Sequence, residues 1–160
     1  MEGAPHEKTF LLQVVQPGLV GLMDGSVSTL APVFVSAFAT GDPYITFLVG
    51  ASASVGAGIS MAFAEALSDT GHETGRGHPV WRGSIIGIMT FLGGILHALP
   101  FLISHMETAL ALAYLVVGAE LVAIAYIRYH YFRLNFFVSV AQVVLAGALV
   151  LGAGLLIGHA

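Results

Sequence analysis

Apolar positions fall in five long blocks, near 17–40, 44–68, 81–103, 107–128 and 134–159. Each is long enough to cross a bilayer, since a helix needs roughly 20 apolar residues to span a hydrocarbon core of about 30 Å. The breaks between them read "TGDPY", "SDTGHETGRGHPV", "SHME" and "RYHYFRLN", and their Gly, Pro, Asp, Asn and His mark loops. Segments of about 10 residues in strict alternation, the signature of a membrane barrel, are absent. The pattern predicts an all-α integral membrane protein with five transmembrane helices. Residues 1–16 form a short cytoplasmic or interfacial segment, in which "PHEKTFLLQVVQ" reads as an interfacial helix jointed at Pro17. Residues 17–160 form one transmembrane domain without a separate soluble part.

Composition narrows the class further. Hydrophobic residues make up 57% of the chain and charged residues 9%, against about 25% charged in an ordinary soluble domain. The absence of cysteine excludes disulfides, thiolate metal sites and covalent haem attachment. No basic stripe points to nucleic acid. The opening "MEGAPHEKTF" has two glutamates and no basic cluster, unlike a cleaved signal peptide.

The five basic residues set an expected orientation. Lys8 precedes the first span, Arg76 and Arg82 lie between the second and third, and Arg128 and Arg133 lie between the fourth and fifth. With five spans all fall on one side, while Asp42 and Glu107 fall on the other. The positive-inside rule then places the N-terminus in the cytoplasm and the C-terminus outside. Trp81, Tyr126, Tyr129 and Tyr131 suit the inner aromatic belt, and Tyr44 the outer one.

Small residues recur at steps of four. Gly50, Ser54, Gly58, Ala62 and Ala66 form one stripe of span two, and Gly56, Ser60, Ala64 and Ser68 a second. Gly83 and Gly87 open span three, and Gly154 and Gly158 close span five. Such stripes let helix backbones approach closely in lipid. Packing within one bundle and a homodimer seam both use them. A homodimer is expected from the glycine load, with either stripe as its seam.

The candidate chemistry lies in the buried acids. A carboxylate at mid-helix costs about 2.5–3.5 kcal/mol on insertion scales. Asp24 lies seven residues into span one, roughly 10 Å deep at 1.5 Å per residue. Met61 lies seven residues from the end of the antiparallel span two, at matching depth, and Glu65 follows one turn nearer the cytoplasm. If spans one and two are neighbours, these three side chains share a polar seam that Ser28 continues. Carboxylates and a thioether suit a divalent transition metal such as Fe²⁺. The plainer readings are a hydrogen-bonded helix joint for Asp24, core filling for Met61 and a headgroup-level carboxylate for Glu65. No lysine or arginine is expected at comparable depth. Desolvation favours the uncharged form of a carboxyl, so protons can compete with metal.

Three further groups are candidates. Glu120 in span four is a proton carrier or a further ligand, or else an acid paired with a neighbouring Ser or Thr. His97, three residues before Pro100, is an exit-side ligand or proton relay, or else a donor to a carbonyl freed by the proline. Asp69, His72, Glu73 and His78 form a candidate metal-collecting mouth, or else a solvated loop; His72-Glu73 lacks the second histidine of a zinc-protease motif.

Asp24-Gly25 early in span one, followed by "GAGISMAFAEALS" at the end of span two, resembles the vacuolar iron transporter family. The stretches "QPGLVGLMDGSVSTLAPVF" and "EALSDTGHETGRGHPVWRG" are similar to the membrane half of bacterial erythrin–vacuolar iron transporter fusions, the membrane-bound ferritins. The resemblance covers nearly the whole chain. It implies a dimeric transporter in a bacterial inner membrane that moves Fe²⁺, and by extension Mn²⁺, out of the cytosol in exchange for protons. No resident cofactor is implied. Asp24 and Met61 would be metal-pathway residues and Glu65 a cytoplasmic-side one. Two departures stand out. The long glutamate-rich insert of eukaryotic members is replaced by about a dozen loop residues, and only about ten residues precede span one where the fusions carry a di-iron domain. Metal loading would then be absent or fall to another chain, such as a ferritin-like protein.

The alternative is a non-transporting membrane module that anchors or dimerises a ferritin-like partner. An intramembrane enzyme is disfavoured, because no Ser–His, paired-Asp or HExxH arrangement occurs at matched depth.

Overall fold

A computed structural model of the chain describes residues 5–68 and 76–158. Its elements are α1 (Pro5–Phe10), a π-helical segment (Leu11–Val15), α2 (Gln16–Ser28), α3 (Leu30–Thr40), α4 (Pro43–Ser68), α5 (Pro79–Leu96), a 3₁₀ turn (Leu99–Leu102), α6 (Met106–Phe132) and α7 (Phe136–Gly158). The described residues are all-helical, with no strand. Five helical stretches are long and apolar enough to cross a membrane: Lys8–Thr40, Pro43–Ser68, Pro79–Leu96, Met106–Phe132 and Phe136–Gly154. We refer to them as spans one to five.

The six prolines account for most of the helix punctuation. Pro5, Pro43 and Pro79 stand at the first residue of α1, α4 and α5, where the missing N–H is harmless and the fixed φ suits a helix. The other three fall inside apolar blocks. A proline cannot donate to the carbonyl four residues back, and its ring crowds that carbonyl. Counting back four residues from Pro17, Pro32 and Pro100 gives Gln13, Ser28 and Leu96. Gln13 sits inside the π-helical segment, Ser28 ends α2 and Leu96 ends α5.

At Pro17, the expected joint, the helix does not end: a widened π-helical turn before the proline takes up the lost bond, and α2 follows directly. Span three was expected to run to 103, but it stops at Leu96 and continues as a tight turn.

Helix ends are capped locally. Asp42 Oδ1 accepts the Ile45 N–H at 3.1 Å, and Asn135 Oδ1 accepts the Phe137 N–H at 3.0 Å. Gly41 closes α3 in the left-handed region, with φ 62°.

Span three is the centre of the bundle. Gly21 and Gly25 of α2 bring span one against the backbone carbonyls of Ile86 and Thr90. On an adjacent face, Gly83 and Gly87 bring span three against Ala62, Ala66 and Gly58 of span two. A Cβ at Gly87 would lie 2.6 Å from the Ala62 Cβ, so these contacts need glycine. Span two also meets span one directly, with Gly50 against Val33 of α3.

Two apolar clusters lie towards opposite ends. One gathers Leu19, Ile124 and Val143 from spans one, four and five. The other gathers Leu30, Val33, Phe34, Ala37, Ala98, Phe101, Ala109 and Ala113. Outward faces are strongly apolar, with Leu67 81% and Phe137 79% exposed. Such surface suits lipid or another protein.

Candidate functional site

The break in span one exposes a backbone carbonyl that must find a donor, since lipid supplies none. Thr29 stands at the break, with φ −90° and ψ −10°. Its hydroxyl donates to the Gly25 carbonyl at 2.8 Å. The break in span three places His97 beside it, fully buried. His97 Nε2 lies 2.8 Å from the Thr29 hydroxyl oxygen, and Nδ1 lies 3.2 Å from Glu120 Oε2 on span four. Glu120 is 6% exposed. One chain of polar contacts thus joins spans one, three and four between the two apolar clusters.

The protons of this chain can be placed by counting donors. Thr29 has a single hydroxyl hydrogen, already directed at Gly25, so it accepts from a hydrogen on Nε2. The Nδ1–Oε2 contact then needs one further proton. It makes either an imidazolium with a carboxylate or a neutral imidazole with a carboxylic acid. Both forms leave the pair neutral, which suits a buried site. Both ring nitrogens are engaged, so His97 offers no free lone pair to a metal in this arrangement. It does not donate to a carbonyl freed by Pro100, and Glu120 pairs with this histidine rather than with a Ser or Thr. The tight turn answers Pro100 internally, with Phe101 N–H on Ala98 O at 3.1 Å.

Asp24 sits differently. It is half-buried, on a stripe of α2 with the exposed Val20 and Ser28. Among the described residues nothing hydrogen-bonds to it. The helix joint is made by Gly25 and Thr29, so Asp24 is not the cap of that joint. Met61 is also half-buried, on span two beside Ala62, which packs on Gly87. At that level α2 and α4 both pack closely on span three, through Gly21 and Gly25 on one helix and Gly58 and Ala62 on the other.

Glu65 is also placed otherwise than expected. Its Oε1 lies 2.6 Å from the Arg82 guanidinium, and Arg82 is only 4% exposed. The expectation that no arginine or lysine lies near the buried acids is therefore overturned. Pro79 starts α5 three residues before Arg82, so the first turn carries Arg82 inward against the end of span two. The Arg82 Nε is buried without a partner. Of the candidate mouth, His78 is exposed at the start of α5; Asp69, His72 and Glu73 lie outside the described residues. Among the described residues, no three His, Asp or Glu side chains converge as a ready-made metal centre.

Thr29 and Arg82 are the functional candidates that the sequence reading missed. Pro32, three residues after Thr29, signals the break. Arg82, three residues into a proline-started helix, signals an inward first turn.

The first small-residue stripe of span two is occupied within the chain: Gly50, Ser54 and Gly58 are buried, with Gly50 on Ala98 and Gly58 on Gly87. The second is open. Ser52, Gly56, Ser60, Ala64 and Ser68 are all exposed, and nothing lies within 4 Å of a Cβ built on Gly56. Compared with known proteins, the chain matches no family model, no curated protein and no solved structure.

Proposed function

We propose that the protein is a secondary transporter that moves Fe²⁺, or the similar cation Mn²⁺, across a membrane in exchange for protons. The observation that carries the reading is Asp24, an acid near the middle of the 33-residue stretch Lys8–Thr40, half-buried and without a hydrogen-bond partner among the described residues. Intramembrane acids are costly and belong to ion pathways by default. A purely structural acid would be expected to have a donor, as Glu65 and Glu120 do.

The reading places the pathway where two copies meet. The open stripe Ser52, Gly56, Ser60 and Ala64 supports a homodimer, because small residues in that spacing allow close helix approach. Asp24 and Met61, both half-buried, are then the groups a second copy would help enclose. A carboxylate and a thioether make a weak site for a borderline dication, and a pathway needs a site that releases its ion.

Arg82 gives Glu65 a second role. A guanidinium and a metal ion compete for the same carboxylate, so Arg82 acts as the counter-ion that a passing dication must displace.

The test is Fe²⁺ uptake into proteoliposomes holding the purified chain, with internal pH recorded. The reading expects uptake together with proton movement in the opposite direction. Uptake with no proton movement removes the exchange. An absence of uptake leaves the anchor or dimerisation module for a ferritin-like partner.

A further inference from the structure

We propose that His97 and Glu120 form a buried proton-binding site whose occupancy holds the broken spans one and three against span four. The proposal begins from the neutral pair described above. One proton bridges Nδ1 and Oε2, and a second hydrogen fixes Nε2 on Thr29. Removal of the bridging proton leaves a neutral imidazole whose Nδ1 lone pair faces a carboxylate. That contact is repulsive, so the link between spans three and four opens. Glu120 Oε1, buried and unpartnered, is the second oxygen through which the proton can arrive or leave.

The surroundings isolate the pair from other titrating groups. Span one contributes Thr29 and, five residues earlier, Asp24. Span two contributes Ser54, whose hydroxyl is directed at the Gly50 carbonyl at 2.7 Å. On span three Arg82 lies fifteen residues from His97 and is committed to Glu65. The nearest ionisable residues to Glu120 on span four are Tyr114 and Tyr126, six residues to either side. Beyond the tight turn the nearest is His105, and span five has no ionisable residue. Asp24 is therefore the nearest other acid along these elements.

That placement deepens the transport reading and, for what drives the proton off, rests on it. Loss of the proton leaves a net negative charge in a water-poor layer. A dication arriving at Asp24, five residues from Thr29, supplies compensating charge, and Thr29 sits at the hinge between the two sites. Metal and proton would then exclude one another without sharing a ligand.

The experiment is infrared difference spectroscopy of the full chain in lipid nanodiscs as pH is stepped, on wild type, Asp24→Asn and Glu120→Gln. The expected result is a pH-dependent Glu120 band, a protonated-carboxyl stretch if the bridging proton rests on Oε2 or a shifted carboxylate stretch if it rests on Nδ1, that titrates in wild type, persists in Asp24→Asn and vanishes in Glu120→Gln. A wild-type spectrum that Glu120→Gln leaves unchanged overturns the proposal. Should Glu120→Gln fail to fold, His97→Gln serves: the proposal expects it to displace the pH at which the band appears, and an undisplaced band overturns it. Mn²⁺ added at fixed pH separates the two readings. Loss of the Glu120 band on Mn²⁺ addition supports both. A band that titrates with pH but ignores Mn²⁺ keeps the proton site and removes the metal-for-proton exchange.

Discussion

Asp24 and Glu120 are both single carboxyls inside apolar helices, yet the chain treats them in opposite ways. Glu120 is 6% exposed and faces the one buried histidine the break in span three can deliver. Asp24 is half-buried, one residue before the glycine that packs on Thr90, and has no donor from the described residues. The difference follows from backbone geometry. Breaks at Thr29 and His97 free polar groups that must be matched inside the protein, and Glu120 is drawn into the match. Asp24 lies on the unbroken part of α2, on the stripe it shares with the exposed Val20 and Ser28. One acid is matched inside the protein, and the other is left without a donor among the described residues.

The largest effect that sharpens this contrast is on stability. His97→Leu leaves the Glu120 carboxyl buried without its partner and should cost about 3–5 kcal/mol in denaturant unfolding in micelles. Asp24→Leu should instead stabilise the chain in the same assay, because it removes an unpaired acid whose insertion costs about 2.5–3.5 kcal/mol. Equal losses from both substitutions would show that Asp24 has a structural partner after all.

The ion pair between Glu65 and Arg82 stands between the two cases. Arg82→Gln should cost about 1–3 kcal/mol, by leaving Glu65 partly buried and unpaired. Adding Glu65→Gln should recover most of that loss, and a double-mutant cycle measures the coupling. Additive losses would mean that the 2.6 Å contact contributes little.

Glycines offer a finer comparison. Gly25→Ala would drive a methyl into the Thr90 carbonyl and separate spans one and three, at roughly 1–3 kcal/mol. Gly56→Ala meets nothing within 4 Å in the chain and should change monomer stability by less than about 0.5 kcal/mol. Gly56→Leu should nonetheless weaken self-association in cross-linking if the open stripe is the seam. Unchanged association would move the seam elsewhere.

Much of the architecture was readable from residue order. Five apolar blocks between polar loops have one physical solution in lipid, and the prolines mark each irregularity four residues upstream. The neighbour relations were not readable. Both small stripes of span two have the same spacing, and only the three-dimensional packing shows that Gly50, Ser54 and Gly58 are used while Gly56 is open. Placing spans one and two side by side was the natural assumption for consecutive helices, and α3 does pack on α4. What residue order did not show is that Gly21, Gly25, Gly83 and Gly87 bring span three tightly against both. His97 and Glu120 were legible as candidates, but their pairing was not, because the partners are 23 residues apart on different spans. Arg82 looked like a loop charge, and only the inward first turn of α5 makes it a buried counter-ion.

The most direct measurement is Fe²⁺ flux into proteoliposomes for wild type and Asp24→Asn, reconstituted to equal density with folding checked by unfolding midpoint. The account predicts that Asp24→Asn stays folded and loses most of the flux, because the amide keeps the shape and removes the charge that holds the dication. Wild-type flux that survives the substitution undiminished would contradict the claim that Asp24 is the metal's foothold.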